Sequence, residues 1–89
     1  MTEFQGELLD GCTPDSKPCR VQLGEGVLVV KLPGHPELQW HGSHLLEVRE
    51  GVREIRVILK GTDERVNDPV LILPPGPETL RALESVRGR

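Results

Sequence analysis

The chain has 89 residues, 36% of them apolar and 28% charged, with a formal net charge of −3. That length suits one domain around a single modest core, and the interleaved charges leave no basic stripe to follow a phosphate backbone. Phe4 and Trp40 are the only aromatic residues, too few for the stacking platforms of single-strand binders, and the longest apolar runs fall far short of the ~20 residues that cross a bilayer. Neither a nucleic-acid partner nor direct membrane insertion is expected.

Residues 4–9 alternate, with Phe4, Gly6 and Leu8 on one face and Gln5 and Glu7 on the other, as in a half-buried strand. Asp10-Gly11 breaks it, and residues 12–18, from Cys12 to Pro18, form a turn-rich loop with little apolar payload. Residues 20–23 alternate again, with Val21 and Leu23 inward, before a tight hairpin at Gly24-Glu25-Gly26. Leu28, Val30 and Leu32 then face in against Val27, Val29 and Lys31. Pro33-Gly34-His35-Pro36 turns the chain, Leu38 and Trp40 face in, and Gly42-Ser43 turns it once more. Leu46 and Val48 are expected inward, with Leu45, Glu47 and Arg49 outward. A two-residue connection, Glu50-Gly51, leads to the longest strand, 53–59, in which Ile55, Val57 and Leu59 alternate with Glu54, Arg56 and Ile58.

A polar connection over 61–69 precedes a last strand, 70–73, which Pro74-Pro75 stops. Residues 77–87 carry the one helical period, with Leu80, Leu83 and Val86 as a stripe, Ala82 at its edge, Gly76 as N-cap and Gly88 as stop. So short a helix needs a sheet to cover. The chain is thus mainly β: one domain over 1–89, a small antiparallel barrel of about seven strands (4–73) capped by one C-terminal helix (77–87).

That order of elements resembles the pleckstrin-homology-like superfold. The wording of the strands, Gly6-Glu7-Leu8-Leu9-Asp10-Gly11, then 17–23, then Leu28-Val29-Val30, then Leu38-Gln39-Trp40, is similar to the small domain ahead of the membrane segments in some bacterial zinc metalloproteases with chaperone-like roles. The H-E-x-x-H helix of such proteases is absent from the 89 residues, so the likeness implies an accessory module and carries no protease activity. Phosphoinositide binding, known in the superfold, needs clustered cations in the first loop, where Asp10 and Asp15 nearly cancel Lys17 and Arg20.

The residues give no catalytic constellation. Ser43 and His44 are adjacent and would point to opposite faces of a strand, and the glutamates from Glu37 to Glu64 alternate with arginines as a solvated face does. His41 and His44 with Cys12 and Cys19 suggest a metal or small-ligand carrier, but the cysteine spacing lies outside the habit of structural zinc sites. Two cysteines are too few for a disulfide scaffold, which favours a reducing, cytoplasmic setting. No cofactor is expected. Val27, Val29, Leu45, Val52 and Ile58 are left over on the nominally outer face, and a patch of them would suit a protein partner or a second copy. The expected function is a non-catalytic binding or scaffolding module, with the carrier as alternative.

Overall fold

Period-two alternation gives each strand of this chain one apolar face, and a sheet with one apolar face must curl around it to exclude water. The computed structural model, which describes residues 2–9, 15–61 and 68–87, shows the curled result. Cys12, the Asp10-Gly11 break, most of the 61–69 connection and Gly88 lie outside the described residues. The strands are β1 (Thr2–Leu9), β2 (Lys17–Gly24), β3 (Val27–Lys31), β4 (Leu38–His41), β5 (Leu45–Glu50), β6 (Ile55–Leu59) and β7 (Val70–Leu73). They form one antiparallel sheet of seven strands in the order β4-β3-β2-β1-β7-β6-β5, a half-barrel followed by α1 (Pro77–Arg87).

β1 lies in the middle. Residues Thr2 to Leu8 pair with β2, while Glu7, Leu8 and Leu9 pair also with β7. Gly6 stands where the two ladders converge: a Cβ there would run into the carbonyl oxygen of Ile72, so no larger residue lets β7 come this close. β2 begins earlier than its alternation suggests, at Lys17, because β1 is long enough to pair with Lys17, Pro18 and Cys19. β3 reaches only as far as Arg20, so Pro18 sits where β2 has no strand on its other side and its missing N–H costs no ladder bond.

The inner face buries Leu8, Val21, Leu28, Val57, Leu71 and their neighbours, with Trp40 among them as expected. The open side of the half-barrel lies between the edge strands β4 and β5. There the indole N–H of Trp40 donates to the carbonyl of Lys60 at 3.1 Å, tying β4 to the end of β6. A single 3-10 turn, Gly42–His44, joins the two edges. The helix packs against β2 and this turn, and its C-terminal end comes so near that a Cβ on Gly42 would overlap the Val86 carbonyl.

The helix has the expected bounds, and the Leu80 N–H bonded to the Gly76 carbonyl (3.3 Å) makes Gly76 its N-cap. Its buried stripe is Thr79, Ala82, Leu83 and Val86, with Leu80 only half-buried. The stripe is turned from the expected one because the small Ala82 and Thr79 allow the helix to lie close to β2. The β5–β6 connection is likewise a four-residue turn, 51–54, closed by the Gly51 N–H on the Glu54 carbonyl at 2.9 Å, so β6 starts at Ile55.

Candidate functional site

The apolar surface that the core does not use is on the outer face of β5, β6, β7 and β1. In β7, Leu71 and Leu73 face in, which sends Val70 and Ile72 out; in β6, Ile58 and Arg56 face out between three buried residues. Register places Leu9, Val70 and Ile58 side by side across three strands, with Glu47 of β5 next in line. The neighbouring row runs Glu7, Ile72, Arg56, Arg49. An apolar row therefore lies beside a charged one.

Leu46 extends the apolar row. The β5–β6 register slips between Leu45 and Glu47, so that two residues of β5 face one of β6. Such a bulge reverses side-chain parity. Leu45 turns inward and is only 4% exposed, and Leu46, next to Ile58 on the outer face, is 48% exposed. This overturns the expectation that Leu45 faces out and Leu46 in; Val48 faces in on the far side of the bulge, as its alternation implies.

Directly opposed arginines, such as Arg49 and Arg56, repel. Each is neutralised along its own strand, Arg49 by Glu47 at 2.8 Å and Arg56 by Glu54 at 2.5 Å. The ion pairs are exposed and add little stability. They do line the β5 end and one side of the apolar row with charge of both signs.

The other expected outer-face residues divide. Val29 lies on the outer face of β3 but is only 5% exposed, between Gln22 of β2 and Gln39 of β4, so it cannot meet a partner as expected. Val27 is half-buried opposite His41, and the sheet order puts β2, β1 and β7 between it and Ile58. Val52 is 97% exposed at the tip of the β5–β6 turn, away from both rows. Leu38 shares the phase of Trp40 yet is 39% exposed, because it opens the edge strand ahead of the buried stretch. Of the five expected residues, Ile58 alone belongs to the apolar row. Of its companions Leu9, Val70 and Leu46, alternation alone could have flagged Val70, because the unbroken run Val70–Leu73 has apolar residues on both faces, Ile72 of the neighbouring row included.

His41 and His44 do approach each other, with ring centroids 6.0 Å apart and edge to face. Cys19 is not with them. It faces the core near the start of β2, five residues before the Gly24 that lines up with Val27 and His41, roughly 17 Å along the strand. Among the described residues no group of three or more His, Cys, Asp or Glu side chains converges. Burial, and secondarily the nearby charge of Glu7, push the Cys19 thiol up to about 11, which keeps it protonated and poorly nucleophilic at neutral pH. It borders a groove of about 710 Å³ between β1, β2 and the end of β3, with Arg20, Lys31 and Leu32 on its walls.

Comparison with protein families, with curated proteins and with solved structures returns no match. The surface chemistry of the chain therefore carries the functional reading. No helix of the described residues is long and apolar enough to cross a membrane.

Proposed function

We propose that this chain is a non-catalytic binding module that engages a protein partner through the outer face of β5, β6, β7 and β1. The observation that carries this reading is the row Leu9, Val70, Ile58 and Leu46, apolar and flanked by Glu7, Arg56, Arg49 and Glu47. An apolar centre with a charged rim is the composition of a protein interface. The inner face is filled by its own core, while Leu9, Val70 and Ile58 lie half-buried on the other face of the sheet, with Leu46 exposed beside them. The element order supports a pleckstrin-homology-like reading of the fold, and the wording of the first four strands an accessory role beside a membrane metalloprotease. Two cysteines among 89 residues support a reducing, cytoplasmic setting.

Cross-linked affinity capture with wild type and Ile58→Lys, on soluble and membrane fractions of the native cell, tests the proposal. The expected result is a protein recovered by wild type and lost with Ile58→Lys, although that variant still melts cooperatively as a folded domain. Equal recovery by both proteins removes this surface from consideration. Recovery of a membrane protease would add weight to the accessory role.

A further inference from the structure

The half-barrel has two edge strands, β4 and β5, and among the described residues each pairs with a strand on one side only. In β5 the hydrogen-bond phase can be followed from the turn. The Gly51 N–H bonds to the Glu54 carbonyl, and antiparallel alternation then makes Arg49 with Arg56, and Glu47 with Ile58, the bonded pairs of the β5–β6 ladder. Val48 and Glu50 lie between them, so their N–H and C=O groups point away from β6, along the outer edge. A strand running antiparallel to β5 through Val48 would find donors and acceptors in phase.

The charges select the strand. Take β5 of a second copy, related by a two-fold axis through Val48. Glu47 then opposes the second copy's Arg49, and Arg49 opposes the second copy's Glu47. Both are non-hydrogen-bonded pairs, the kind that brings side chains closest. Shifting the axis to Arg49 would set Arg49 against Arg49, which is repulsive. The edge is self-complementary in one register, as an isologous interface requires. On the inner side the half-buried Val48 would meet the second copy's Val48 and lose its remaining exposure. β4, with Leu38, Gln39, Trp40 and His41, carries no such pair of opposite charges. The bulge at Leu46 limits the ladder to the part of β5 beyond it, so the association is short and weak.

We propose that β5 pairs antiparallel with β5 of a second copy of this chain about a two-fold axis through Val48, matching Glu47 with the second copy's Arg49. This goes beyond the apolar row and stands whether or not that row takes a partner, since Val70→Lys would break the row two strands away from β5 and leave the edge charges as they are.

Sedimentation equilibrium of the full chain from micromolar to millimolar concentration tests it. Wild type should show a monomer–dimer equilibrium. Glu47→Arg alone and Arg49→Glu alone should each weaken it about tenfold or more, because both matched pairs become repulsive. An equimolar mixture of these two variants should regain association, one edge now all cationic and the other all anionic. The double variant, Glu47→Arg with Arg49→Glu, should dimerise as wild type does. A wild type that stays monomeric to millimolar concentration overturns the proposal. So does a single variant that dimerises undiminished, or a mixture that associates no better than its components.

Discussion

The two halves of the sheet treat outward apolar residues differently. In the β2–β3–β4 half Val29 has a glutamine opposite it on each neighbouring strand, and these long side chains cover it down to 5% exposure. In the β5–β6–β7 half Ile58 has Val70 on one side and Glu47 on the other, with Leu46 raised by the bulge. Apolar neighbours leave Ile58 and Val70 half-buried and widen the patch. An outward Val or Ile is thus a structural residue or a surface one according to its cross-strand partners, which belong to distant parts of the sequence.

The largest way to disturb this contrast is to untie the halves. Trp40 fills the core from β4 and bonds to Lys60 beyond β6. Trp40→Ala should cost about 3–5 kcal/mol, read as a lower urea midpoint or outright loss of the folded far-UV signal. A midpoint shifted by little would show that the β1–β7 ladder, the turn at Gly42 and the helix hold the halves together without it.

The contrast itself is sharpened by the same substitution made on both sides. Val29→Lys should destabilise by about 1–3 kcal/mol, since it forces a charge among covering glutamines, whereas Ile58→Lys should cost about 1 kcal/mol or less. Equal costs in thermal melts would mean that the glutamines do not cover Val29 in solution.

The smallest effect concerns the groove side of the first half. Folding raises the Cys19 thiol from 9.0 to about 11, so the folded state holds this proton more tightly than the unfolded chain. Its contribution to stability is complete below the unfolded value and is lost as pH rises from about 9 toward 11. Urea unfolding of wild type and Cys19→Ala across that window checks this: the gap between the two should narrow with rising pH. A constant gap would mean that the thiol is not buried as described.

Strand phases, the Trp40 core position and the helix bounds were legible because each follows from spacing within a few residues. The parity of Leu45 and Leu46 was not, since it depends on a bulge fixed by the pairing with β6. Lys17 and Pro18 read as loop, because proline is a local breaker, while their place in β2 comes from the length of β1. The apolar row was half legible. Ile58 stands out within its own strand, but that it adjoins Val70 and Leu9 is a matter of register between strands whose order no local pattern states.

The central position of β1 has a consequence for how the chain comes to be folded. Its first strand is also the partner of its last: Leu8 lies opposite Leu71. The β1–β2–β3–β4 meander contains only neighbouring pairings and can assemble as soon as it has been synthesised, but the seam between β1 and β7 must wait for almost the whole chain. Until then one edge of β1 is bare. Closing so long a loop is entropically costly, which favours an order with the meander first, a β5–β6 hairpin alongside it, and β7 last, entering between two edges and carrying the helix behind it.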